Sequence, residues 1–192
     1  MRIRQFFFLL SLVLLSMPTV WADEPTPNAQ DRDGQHDFDF YIGTWKLHNR
    51  RLRNPLTGSN NWVEFEGTSV AHKVWGGRAN MDETEFDDPA GHIQGLTVRL
   101  YDPSTRLWSI YWANSRKGNI ALPPTVGRFV DGRGEFYDFE IYEGKAVLVR
   151  YLWMNIKPES NRWEQAFSQD GGKTWETNWT IDSERVKDSE TR

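Results

Sequence analysis

The chain is built on alternation. From Arg162 to Ile181 (RWEQAFSQDGGKTWETNWTI), Trp163, Gln165 and Phe167 share one face of an extended segment, and Trp175, Thr177, Trp179 and Ile181 share one face of the next. Period-two placement of large apolar residues predicts strands with one buried side. Asp170-Gly171-Gly172 lies between them. There Asp can bond the turn backbone and Gly accepts positive φ, so the two arms predict a β-hairpin. Such a hairpin is not stable alone and needs a sheet that curls over it.

The same rhythm runs through the rest of the chain. Order is predicted to start near Phe38-Asp39-Phe40-Tyr41, and Gly43-Thr44-Trp45 opens a strand reaching about Arg53. Asn54 to Gly58 reads as a turn, Trp62 to Trp75 as a second strand and Arg78 to Phe86 as a third. The second strand places Glu64, Glu66, Thr68 and His72 on one face. Leu96, Val98 and Leu100 alternate with Thr97, Arg99 and Tyr101, and Trp108, Ile110 and Trp112 with Ser109 and Tyr111. Thr125 to Val130 is a short strand; Tyr137, Phe139 and Ile141 alternate with Asp138 and Glu140; Ala146 to Ile156 is apolar on both faces except Arg150. Gly- and Pro-containing turns separate these runs, and no amphipathic helix interrupts them. The pattern predicts an all-β fold, a single antiparallel up-and-down β-barrel of about ten strands. A barrel of that size can enclose one small ligand.

The ends of the chain differ. Arg2 and Arg4 precede an apolar run from Phe6 to Leu15, and Val20-Trp21-Ala22 ends on a small residue. That order predicts a secretory signal peptide over 1–22, too short in its apolar part for a membrane span. Polar, Pro-containing residues 23–36 read as a flexible leader, 37–185 as the barrel domain and 186–192 as a charged tail. The expected location is periplasmic or extracellular. Cys is absent, which excludes thiol catalysis, Cys-ligated metals and a lipoprotein anchor. Lys and Arg total 23 against 27 Asp and Glu, and losing the two arginines of the signal peptide makes the balance more acidic. This argues against a nucleic-acid partner and, after signal cleavage, against a membrane partner. The oligomeric state is left open.

Phe38 to Arg51 (FDFYIGTWKLHNRR) resembles the start of a lipocalin or calycin barrel. In that family a Gly-x-Trp on the first strand closes one end, often under a basic residue from the last strand. Gly43 and Trp45 match the motif, and Arg185 is the candidate basic partner. Together with WVEFEGT, RLYDPSTRLWSIYW, VGRF, DGRGEFY and the final hairpin, the pattern resembles an uncharacterised bacterial family of lipocalin-like (calycin-type) domains of unknown function. The resemblance implies the fold and brings no activity with it. Ser168, Asp170, Gly172 and Trp175 also resemble the Asp-box turn of sialidase-type propellers. One copy does not make a propeller, so these residues are expected to be structural.

Composition adds the rings: 10 Trp, 11 Phe and 6 Tyr, enough to line a cavity as well as a core. If the Trp-rich faces point inward, the interior receives Trp108, Trp112, Tyr137, Trp153, Trp163, Trp175 and Trp179. The expected ligand-binding set is Trp112, Arg128, Tyr137, Trp153, Asn155, Gln165 and Thr177, rings with a few convergent polar groups. No catalytic residue, cofactor or metal site is assigned. The four histidines are scattered without ligand spacing, though His72 or His92 could serve a pocket mouth. Three readings stay open. The first is a carrier of a small, partly apolar ligand. The second is a cofactor-independent isomerase or hydrolase using a carboxylate such as Glu64 or Glu66 with a tyrosine such as Tyr111. The third is a carbohydrate- or surface-binding module with exposed Trp. The enzyme requires an in-pocket carboxylate of raised pKa; the module requires coplanar rings outside.

Overall fold

A computed structural model describes residues 32–187. The signal peptide, most of the leader and the last five residues of the tail lie outside the described residues. The described residues form ten strands: β1 (Gly43–Leu52), β2 (Trp62–Val74), β3 (Ala79–Phe86), β4 (Ile93–Asp102), β5 (Leu107–Asn114), β6 (Thr125–Val130), β7 (Arg133–Tyr142), β8 (Lys145–Lys157), β9 (Ser160–Ser168) and β10 (Glu176–Arg185). Each pairs antiparallel with the next. The barrel closes where β10 meets β1, from Trp45 opposite Arg185 to Arg51 opposite Trp179. Closure leaves no free sheet edge along the seam.

Short turns enforce the up-and-down order. Asp131-Gly132 and Glu143-Gly144 each place two successive residues at positive φ. That is the turn whose twist matches a right-handed hairpin. β6 is shorter than its neighbours, pairing Val126–Val130 with Arg133–Tyr137 of β7 and only Thr125–Gly127 with β5. Beyond it, on the side away from β4, the end of β5 meets the following loop, through a bridge between Ala113 and Ile120 and the Ala121 amide on the Trp112 carbonyl. Asp138–Tyr142 of β7 thus pairs with β8 alone. The wall carries a notch on this side.

One end of the barrel is filled. Phe38, just before a 3-10 turn at Asp39–Tyr41, is fully buried among Trp108, Phe129, Phe136 and Trp153. Each such ring contributes roughly 1.5–3 kcal/mol by burial. The Trp45 indole donates to the Tyr41 carbonyl at 2.7 Å and ties the plug to β1. The chain before the plug is also held. Gly34 N–H donates to the Tyr101 hydroxyl, and the Gly34 carbonyl accepts from the Trp108 indole at 2.9 Å. The end of the expected leader is therefore part of the closed end, fixed by backbone bonds that its polar composition does not announce.

A polar network is buried in the same half. Arg99 of β4 pairs with Asp82 of β3 and donates to Asn80 at 3.0 Å. Asp82 also accepts from Thr84 at 2.9 Å and Thr97 at 3.1 Å. The Arg99 guanidinium lies over the rings of Phe38, Tyr41 and Trp153. A buried charge is tolerable only when it is paired and hydrogen-bonded, as here.

Candidate functional site

The other half of the interior is lined by rings that stay partly exposed. Register places Trp112, Tyr151, Trp163, Gln165 and Trp179 inside, yet each keeps part of its surface exposed. Their rings form a chain. Trp112 contacts Phe86, Phe86 contacts Trp179 at 5.4 Å, Trp179 meets Trp163 edge-on at 5.7 Å, and Trp163 packs on Tyr151 at 5.0 Å. At the β8–β9 side the end is covered by Leu56 from the β1–β2 loop, which, like Tyr142, packs on the cluster of Val147, Val149 and Phe167. The Leu56 amide donates to Glu176 at 2.7 Å and holds that loop down.

Polar groups converge on the hollow from five strands, β1, β7, β8, β9 and β10. Gln165 donates to Asn178 Oδ1 at 2.8 Å. Arg51 lies over the Trp179 ring at 4.5 Å, with Asp88 3.8 Å away. Burial lowers its guanidinium pKa, against the pull of Asp88. On β7, Asp138 stands opposite the buried Val149 and Glu140 opposite the buried Val147, so both carboxylates face inward. Burial raises the Asp138 pKa, and burial with the neighbouring Asp138 raises that of Glu140. Burial pushes the Tyr151 phenol up as well, reinforced by Glu140, while its bond with Thr125 opposes the shift.

The facing of several expected site residues is corrected. Tyr137 and Arg128 lie on the outer wall, because Phe136 and Phe129 beside them take the interior. Tyr137 is 43% exposed and packs on Trp175, which also lies outside, with Arg150 stacked 4.4 Å from its ring. Asn155 sits exposed in the β8–β9 hairpin at φ 53, where the register breaks. Thr177 pairs with Ala166 on the outer side, because a bulge follows it and turns Asn178 inward instead. Trp112, Trp153 and Gln165 are inside, with Trp153 packed into the filled half. Glu64 and Glu66 face solvent and bind Arg50 and His48. Tyr111 is on the outer face, opposite Val98; His72 is exposed; His92 contacts Asp87 at 3.2 Å outside.

Asp138, Glu140, Tyr151, Arg51 and Asn178 are the interior groups the strand pattern did not single out. Phe136, in phase with Asp138 and Glu140, is the sequence signal for the acid pair. A shallow open groove of about 290 Å³ lies outside, over Glu83, Glu85, Gln94 and Leu96. It holds none of the ring chain, so the hollow is the better candidate. The outer rings Tyr137 and Trp175 are tilted 54° and do not form a flat platform. Among the described residues no group of three metal-ligating side chains comes together.

No protein-family model matches the chain, and no curated protein matches it. Among solved structures, an S-type phycobiliprotein lyase from Guillardia theta is similar with a TM-score of 0.58 and 13% identity, over 83% of this chain and 96% of that chain. At that identity the likeness shows the fold, and the closed ten-stranded antiparallel barrel is of the lipocalin-like, calycin type.

Proposed function

We propose that the protein is an exported barrel that binds a small, partly apolar ligand in its ring-lined hollow. One observation carries this reading: Trp112, Tyr151, Trp163 and Trp179 point into the barrel and remain partly exposed there. Interiors normally close-pack, so rings left uncovered inside a barrel mark space kept for another molecule. The similar fold of a phycobiliprotein lyase agrees with a barrel that handles a small molecule. Export rests on the basic, apolar and small-residue order of residues 1–22.

The test is native mass spectrometry of the protein purified from its source without denaturation. Excess mass that leaves on unfolding is the expected result, and the released compound names the ligand. A bare polypeptide mass, together with Trp fluorescence indifferent to a panel of apolar probes, would overturn the carrier reading.

A second reading, acid–base catalysis, is favoured by one observation. Asp138 and Glu140 are inward carboxylates of raised pKa, close to the Tyr151 phenol. Perturbed groups of this kind collect at catalytic sites. An enzyme would return a bound compound chemically changed, whereas a carrier returns it intact.

A further inference from the structure

The charge balance of the hollow is incomplete in a specific way. Three other buried or half-buried carboxylates hold an arginine, Asp37 with Arg32, Asp82 with Arg99 and Asp88 with Arg53, while half-buried Asp39 holds Lys73 and half-buried Glu176 takes the Leu56 amide. Asp138 and Glu140 hold no arginine among the described residues. Asp138 accepts only the amide of Phe139 on its own strand, and Glu140 feels Lys117 of the β5–β6 loop without a hydrogen bond. Lys145, in phase with Val147 on β8, is bonded instead to the Leu56 carbonyl at 3.3 Å. β8 offers Val147, Val149 and the neutral Tyr151, and β6 offers Thr125. An inward carboxylate pair without a counter-charge costs stability, and such a cost persists where a bound partner relieves it.

Two further features mark a ligand here; the first, an amide donor, calls for an acceptor group on that ligand, and the second bears on its charge. Asn178 is 3% exposed, and its Nδ2 has no partner while its Oδ1 holds the inward-facing Gln165. The aromatic faces nearest the acid pair are also unclaimed. Elsewhere arginines cover rings: Arg99 over Phe38, Arg51 over Trp179, Arg150 over Trp175 and Arg185 over Trp45. Among the described residues no such cation lies over Tyr151, Trp163 or Trp112. Rings beside a carboxylate are the combination that recognises an organic cation, through the ring quadrupole and a charge-assisted hydrogen bond.

We infer that the hollow selects an organic cation, a protonated or quaternary amine on an aromatic body, with Asp138 and Glu140 as its counter-charge. The inference rests on the carrier reading above and narrows its ligand. The amine meets the two carboxylates at the notch between β5 and β7, and the apolar body lies along Tyr151 and Trp163. Arg51 is already engaged by Trp179 and Asp88, so it does not redirect the site toward anions.

The experiment is calorimetric titration of the signal-free chain with three probes of one shape: naphthylmethylammonium, naphthylmethanol and naphthoate. The ammonium is expected to bind roughly tenfold tighter than the alcohol, about one cation–π or charged contact, with naphthoate weakest. In the D138N/E140Q double variant, checked for fold by circular dichroism, that preference is expected to vanish while alcohol binding persists. If the double variant does not fold, D138N and E140Q singly are each expected to narrow the preference. Equal binding of ammonium and alcohol to the parent would overturn the inference and leave the carrier reading standing. A preference that survives both substitutions would overturn the assignment to these residues. Failure of all three probes would overturn the carrier reading itself.

Discussion

The guanidinium of Arg185, the last residue of β10, lies over the indole of Trp45 on β1 with 4.2 Å between cation and ring. It also donates to the carbonyls of Ile42 and Pro158, each at 2.7 Å. One side chain thus staples the first strand, the last strand and the β8–β9 hairpin at the seam. Gly43, at φ 121, clears the way: a Cβ there would stand 2.6 Å from Arg185 Nη1. Trp45→Ala is expected to cost about 3–5 kcal/mol in chemical denaturation. Gly43→Ala is expected to cost more than about 1 kcal/mol, from both strain and clash. Arg185→Lys keeps the charge but loses the planar fork, so its melting temperature should fall between those of parent and Arg185→Ala. Equal melting of all three Arg185 forms would show that the staple carries no stability.

The buried pair of Arg99 and Asp82 makes a sharper prediction. Removing one partner leaves the other charged and unpaired inside the barrel. Arg99→Met alone is expected to destabilise by about 3–5 kcal/mol. Arg99→Met with Asp82→Leu should recover much of that loss, because two apolar side chains replace two desolvated charges. Denaturant midpoints of the two singles and the double close the cycle. A double variant as unstable as the sum of its singles would mean that Thr84 and Thr97, with Ser69 whose hydroxyl donates to Asp82 at 3.4 Å, depend on Asp82 more than the ion pair does.

The β9–β10 turn is held by Asp170, which accepts from the Thr174 amide at 2.9 Å and the Thr174 hydroxyl at 2.7 Å. The Ser168 hydroxyl donates to Asp170 and takes the Gly172 amide at 2.9 Å. These bonds hold the Asp170 carboxyl at a pKa of about 2. Its contribution is therefore present above the ordinary carboxylate range and lost as the pH falls toward 2. Asp170→Ala is expected to speed amide exchange across residues 169–175 and to loosen Trp175 from Arg150. Unchanged exchange there would show that the two glycines alone set the turn.

Much of this architecture is legible in the chain. Alternation locates the strands, and Gly43-x-Trp45 and Ser168 to Trp175 locate a closure and a turn. The direction of the faces is harder. On β7 the apolar residues Phe139 and Ile141 point outward, 52% and 67% exposed, while Asp138 and Glu140 point in. On β4, Thr97, Arg99 and Tyr101 are buried, and Leu96, Val98 and Leu100 are half-exposed. A rule that sends apolar residues inward fails wherever a barrel keeps polar groups inside, because Arg99 and Asp82 satisfy each other. A bulge at Asn178 and a positive φ at Asn155 each end the alternation locally, and neither carries a glycine to announce it.

The acid pair gives the protein a pH signature of unusual sign. In the unfolded chain Asp138 and Glu140 release protons in the ordinary carboxylate range; in the barrel, burial makes both hold them to higher pH. Between those values the folded state binds more protons than the unfolded state, so stability falls as the pH rises through the window. Above the folded pKa values the cost stays in full. Lys117 offsets part of it for Glu140, and the neutral Tyr151 does not. The D138N/E140Q protein is therefore expected to melt higher than its parent at neutral pH. The gain should shrink as the pH falls and disappear once both carboxyls are protonated in folded and unfolded chains alike. Thermal melts of both proteins across pH 3–8 read the difference directly, with the acid loss at Asp170 common to both. A double variant that melts lower than its parent at neutral pH, with the deficit closing as the pH falls, would mean that the two carboxylates are held ionised by a counter-charge, which would remove the unsatisfied pair from the hollow.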